Sequence, residues 1–147
     1  MTISHKLVAL IESNADKITK AWLKEVKDRK ETPTYAQHDE ERLYHRAFRV
    51  YRHLGEWISR ERSKEEIARH YLDLGRRRKR QGFALSEVVA ALIIARRMLW
   101  VHVLTDAFLE TALEMNQALE LSNRVVLFFD RATYYASRGY EEPEKSA

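Results

Sequence analysis

Six histidines, His5, His38, His45, His53, His70 and His102, are the side chains best suited to hold a metal or a haem iron in a chain without cysteine. Their spacing gives that chemistry little support. No His-Glu-x-x-His pair occurs, and His45 and His53 stand eight residues apart with no acid between them on the same helical face. His102 is the best single candidate because it flanks an apolar stripe, where a lone histidine is more often a hydrogen-bonded core residue. Carboxylates gather as Asp39-Glu40-Glu41 and Glu65-Glu66, which solvated helix starts explain. No Ser-His-Asp set, phosphate loop or glutamate-rich ferritin motif can be assembled. The expectation is a non-enzymatic chain with no metal and no cofactor.

Arginine is the more informative charge. Twenty-six basic residues against twenty-two acidic ones give a net charge of +4, and the five adjacent cations Arg76 to Arg80 account for the whole excess. Consecutive residues point around most of a helix, and a helix C-terminus repels anions, so this run argues against nucleic acid as a partner. Individual positions say more. Arg78 continues the stripe Ile67, Tyr71, Leu74 by four, and Arg96 continues Leu85, Val89, Leu92 by four. Each therefore faces the core or its rim and must reach a carboxylate, a helix end, water or an anionic ligand. Structural ion pairing is the favoured outcome, with Arg96 buried against Asp130 or Asp73. On that reading Arg96→Ala would cost ~3 kcal/mol, and Arg97→Ala, on a wetter face, ~0.5 kcal/mol or less. If the domain has a ligand site, Arg78, Arg96, Arg97 and His102 mark where it lies.

The elements that position these residues are helical throughout. Ile3, Leu7, Ile11, Ala15, Ile18, Trp22 and Val26 recur at three and four, as one bent helix or two with Asn14 a cap between them. A second stripe, Leu43, Ala47, Val50, Leu54 and Ile58, predicts a helix from about Asp39 to Arg60. Ser63 to Glu66 is a capping box opening the next helix, and Gly82 ends it with a left-handed backbone. The run Val88 to Ala95 is apolar on every side, which predicts a central helix from about Leu85 to Leu109 through the middle of the fold. Thr111 to Glu114 is a second capping box, before an aromatic-rich final helix. With no strand-like alternation, the fold class is all-α, a single-domain bundle of about five or six mostly antiparallel helices over residues 1–140, with 141–147 a polar, disordered tail or linker start. No apolar run approaches the ~20 residues of a membrane span, and no signal-peptide pattern opens the chain, so a cytoplasmic location is expected.

The sequence Leu74-Gly75-Arg76-Arg77-Arg78, then Gln81-Gly82-Phe83-Ala84-Leu85, then an apolar helix closing on Arg96-Arg97-Met98-Leu99-Trp100, resembles the RsbRD amino-terminal sensor-domain family. Trp22-Leu23 near the start and Phe128-Phe129 to Tyr134-Tyr135 near the end fit the same family, over about residues 3 to 140. The resemblance implies a helical input module of a bacterial signalling or stress-response system, ordinarily placed ahead of an output domain. No output domain follows Tyr140, so the chain is expected to be either free-standing or a piece of a larger regulator. It implies action by binding a signalling partner or a small ligand rather than by turnover. The alternatives are an adaptor that binds a partner helix without a ligand, and a haem- or metal-binding globin-like sensor. The final helix carries more aromatic surface than one stripe needs, which predicts a homodimer, to be checked by light scattering.

Overall fold

The computed structural model describes residues 5–59, 64–102 and 110–143. Among these residues it is all helical, with eight helices: α1 (His5–Ser13), α2 (Ala15–Asp28), α3 (Pro33–Ala36), α4 (Glu40–Arg52), α5 (Leu54–Ile58), α6 (Lys64–Arg80), α7 (Leu85–His102) and α8 (Ala112–Glu141). None of them is long and apolar enough to cross a membrane.

The short helix α3 and a break at His53 raise the count above the five or six read from spacing, and the first stripe is two helices rather than one. Asn14 separates α1 from α2, but its side chain does not cap α2; its Nδ2 donates back to the Leu10 carbonyl at 2.7 Å and so ends α1. The stripe from Leu43 to Ile58 divides at His53, where the chain turns so that the Gly55 amide donates to Glu12 Oε2 at 3.1 Å and Val8 packs on Gly55. Continuous apolar spacing cannot register such a bend, because the stripe stays in phase on both sides of it. Asp39 caps α4 by accepting from the amides of Glu41 and Arg42, and Thr111 Oγ1 caps α8 by accepting from Glu114 N at 3.1 Å. Ser63, the other cap residue, lies outside the described residues, as does the far end of the helix expected to run to Leu109.

α6, α7 and α8 run up, down and up. Contacts Phe83 to Tyr140 and Arg96 to Asp130 mark α7 and α8 as antiparallel, whereas Tyr71 to Phe128 and Gly75 to Ala136 advance together along α6 and α8. α6 packs chiefly on α8, and much less on its chain neighbour α7. Gly75 and Gly139 set that contact by letting the two helix backbones touch.

α7 is not wholly enclosed, contrary to the expectation from its apolar sequence. Ile93, Arg97 and Val101, spaced by four, form an exposed edge. The rest of the helix packs between α2 and α8, and that leaves one strip uncovered. In the final helix Phe128 and Phe129 are core residues and Tyr135 is half-buried, so of the four aromatics behind the expected homodimer only Tyr134 stands well exposed. The described chain continues past residue 140 in helix to Glu141, and Glu142 grips Arg76 through two bonds of 2.6 and 2.8 Å.

Candidate ligand cavity between helices 4 and 6

The stop signal of α6 sets the surroundings of Arg78, which lines the site. Gly82 has φ of +87°, the left-handed conformation that a glycine takes without steric cost. Gly82 N donates to the Lys79 carbonyl at 3.2 Å and Phe83 N to the Arg78 carbonyl at 3.0 Å, the paired bonds of a Schellman ending. That motif brings the residue after the glycine against the residue three places from the helix end. Phe83 is therefore folded back so that its ring lies 5.1 Å from the Arg78 guanidinium carbon. The Tyr35 ring, 4.5 Å from Phe83 between centroids, stands beside it on the same side of that guanidinium, at 5.8 Å. The favourable ring faces and the negative end of α6 explain how a cation tolerates this place.

Arg78 is only 6% exposed, and it lines a cavity of about 70 Å³. The apolar walls are Leu43, Ala47 and Val50 from α4, Leu74 from α6, and Val88, Ala91, Leu92 and Ala95 from α7. Trp22 and Tyr51 complete them while holding the helices in place, for the Trp22 indole donates to the Ala91 carbonyl at 3.0 Å and the Tyr51 hydroxyl to the Ala95 carbonyl at 2.8 Å. Arg46 and Tyr71 add polar groups. Burial raises the pKa of both the Tyr71 and Tyr35 hydroxyls, that of Tyr71 well above the usual tyrosine range, so both remain neutral proton donors.

The cavity opens into a broad groove between α4 and α6. α4 rests on α2 and α6 on α8, and α4 and α6 hardly touch. Seven arginines and four carboxylates line the groove, a net of +3 before any histidine is charged. Arg46, Arg78, Leu43, Val50 and His70 belong to both spaces and form the passage between them.

Charge at that passage is poorly balanced. Asp73 Oδ2 lies 2.9 Å from Arg77 and 4.0 Å from Arg46, so one carboxylate is shared by two guanidinium groups. Arg78 has no carboxylate within ion-pair distance among the described residues; its Nη1 donates to Gln81 Oε1 at 2.8 Å. Burial, then repulsion from Arg78 and Arg77, pushes the Arg46 pKa down to about 10, with Asp73 opposing. Among the described residues the Nε atoms of Arg46 and Arg78 are the two buried side-chain polar atoms that lack a hydrogen-bond partner. A buried donor without an acceptor costs about 1–3 kcal/mol, and more when charged.

Of the four residues that spacing marks for a ligand, only Arg78 reaches this cavity. Arg97 is exposed and His102 is half-buried at the end of α7; neither lines it. Among the described residues no group of three or more metal-ligating side chains comes together. Arg96 meets Asp130 at 3.9 Å, with the acid 66% and the arginine 36% exposed, so the pair is not the buried one expected. Asp73, the other partner considered for Arg96, is taken by Arg77 and Arg46. The reason is the uncovered strip of α7, which passes one residue away at Arg97. Both Arg96→Ala and Arg97→Ala should therefore change stability by less than ~1 kcal/mol in denaturant melts; a loss near 3 kcal/mol for Arg96 alone would restore the buried pair.

Arg46 was missed, although it follows Leu43 by three and precedes Val50 by four and so shares their stripe. Glu87 was missed as well. It is buried at the start of α7, where its carboxylate accepts from Thr34 N at 2.6 Å, Thr34 Oγ1 at 2.8 Å and Ala84 N at 2.8 Å. These bonds fix α3 against α7 and so place Tyr35 in the cavity wall. The signal was a single acid three residues after Ala84, immediately before the apolar run Val88 to Ala95.

A family model described as RsbT co-antagonist protein rsbRD N-terminal domain matches residues 16–146. No curated protein and no solved structure matches the chain. The matched span begins early in α2 and takes in every residue of the cavity wall, from Trp22 to Phe129. With most of its length so covered, the chain belongs to the RsbT co-antagonist protein rsbRD N-terminal domain family.

Proposed function

We propose that this stress-response signalling domain is a non-catalytic input module, which binds a small ligand in the cavity between α4 and α6 and reports it by shifting α4 against α6. The observation that carries this reading is the pair of unpartnered guanidinium Nε atoms, Arg46 on α4 and Arg78 on α6, at the mouth of an apolar cavity. A fold under selection for stability alone gains little from two such groups, because an apolar side chain of similar volume is often the more stable choice. Their positions suit a switch. α6 is fastened to α8 through backbone contact at Gly75 and Gly139, whereas α4 is scarcely attached to α6. A ligand held by both arginines binds best when the two helices are close, and that differential affinity is what shifts a population between two packings.

The test separates binding from architecture. Arg46→Met and Arg78→Met are expected to be neutral or up to ~2 kcal/mol more stable than the parent in the absence of ligand. In a thermal-shift screen of small metabolites, compounds that raise the melting temperature of the parent should lose their effect on both variants. Hydrogen exchange should slow in α4 and α6 when such a compound binds. Variants that are both strongly destabilised, with no compound acting on the parent, would make the arginines structural and favour the adaptor reading.

A further inference from the structure

We propose that the ligand of this cavity is a short-chain monocarboxylate, its carboxylate bridged by Arg46 and Arg78 and its apolar stem lodged against Leu43, Val50 and Leu92. This rests on the reading of the domain as a ligand-binding input module and names the chemistry that site selects.

Charge sets the head group. Among the described residues the carboxylate within ion-pair distance of Arg46 is Asp73, which lies closer to Arg77, and Arg78 has none. A guanidinium presents its Nε–H and a neighbouring Nη–H as a planar fork that matches the two oxygens of a carboxylate. Arg78 uses Nη1 on Gln81, which leaves the edge containing Nε for a ligand. Arg46 offers its own Nε from the facing helix. An anion between them would satisfy both buried donors and cancel the repulsion between the two cations.

Volume and lining set the rest. An apolar cavity of about 150 Å³ holds benzene, so the ~70 Å³ found here takes a stem of about three carbons. The walls beyond the arginines are chiefly aliphatic and aromatic, so a polar or charged stem would be desolvated without compensation. For the same reason a dianionic phosphate fits poorly: it carries more charge, and more acceptor positions than the two free edges can fill.

The experiment titrates butyrate, butyramide and inorganic phosphate into the full chain, read by melting temperature and by proton–nitrogen correlation spectra. Butyrate should perturb residues of α4, α6 and α7 around the cavity and raise the melting temperature. Its affinity should fall about tenfold or more in Arg78→Gln and in Arg46→Gln, the loss of one charge-assisted contact, and stay unchanged in Arg97→Gln. Butyramide should bind far more weakly. Arg46 is partly exposed, so Arg46→Gln keeps the comparison valid if Arg78→Gln does not fold. Equal binding of butyramide overturns the anion chemistry and leaves the input-module reading standing, since a neutral ligand in the same cavity serves it. Phosphate displacing butyrate from the same residues, or butyrate acting only on the exposed arginines of the groove, overturns the carboxylate assignment. If none of the three binds, the assignment also falls; the stability of Arg46→Met and Arg78→Met then decides whether the module reading falls with it.

Discussion

Gly75→Ala and Gly139→Ala are each expected to destabilise the domain by about 3 kcal/mol, lowering its melting temperature by roughly 10 °C. A Cβ placed on Gly75 would sit inside contact distance of the Ala136 carbonyl and 2.7 Å from Tyr140 N, and one on Gly139 would meet the Leu72 backbone, 2.8 Å from its carbonyl carbon. Each obstacle is main chain of a long helix, which has no rotamer to yield, so relief requires α6 and α8 to separate. Separation would uncover Tyr71, Phe128, Ala132 and Ala136, residues buried at or beside that crossing. Gly82→Ala is the internal control. Nothing lies within 4 Å of a Cβ at Gly82, and its cost comes from the backbone angle alone, about 1 kcal/mol. Denaturant titration of the three variants tests the order; an effect at Gly75 and Gly139 no greater than that at Gly82 would show that the helix crossing tolerates a methyl group.

Glu87→Ala should cost about 3 kcal/mol at neutral pH, and the loss should shrink in acid. The substitution strands two backbone amides, of Thr34 and Ala84, together with the Thr34 hydroxyl, all of which donate to this one buried carboxylate. Burial acts to raise the carboxyl pKa, and the bonds from Ala84 and from the Thr34 amide and hydroxyl together outweigh it, so Glu87 stays below the ordinary glutamate value of 4.5. A depressed folded-state pKa means that the unfolded chain takes up the proton first. The contribution is therefore complete above about pH 4.5 and disappears as the pH falls below it through the folded-state pKa. Unfolding midpoints of parent and variant, followed from neutral pH downward, should converge in that window. A gap that stays constant, or a variant as stable as the parent at neutral pH, would contradict the assignment. Because Glu87 anchors α3 and thus Tyr35, the same variant should also weaken any ligand held beside Arg78.

Local sequence carried the helical class, the glycine ending of α6 and the inward position of Arg78, because each depends on interactions within one or two turns. A four-residue spacing fixes which side of a helix a residue occupies whatever that helix later packs against. The Gln81-Gly82-Phe83 ending likewise needs no distant partner to form. Arg46 was legible by the same spacing rule and was passed over, since a single arginine among Leu43, Ala47 and Val50 reads as the edge of a stripe until something faces it. What faces it is Arg78, thirty-two residues further along the chain.

Tertiary structure decided the remainder. Nothing local to α7 says which of its apolar faces is left uncovered, and that choice leaves Arg96 half-exposed and Asp130 in solvent. Asp73 lies on α6, yet its company of Arg77 and Arg46 depends on how near α4 stands. The cavity belongs to no single helix: it exists because Gly75 and Gly139 draw α6 onto α8, Trp22 and Tyr51 tie α2 and α4 to α7, and α4 and α6 are left apart. Helix type and facing follow from short-range periodicity, whereas a gap between helices is the difference between several long-range contacts, none of which is written at the residues that line it.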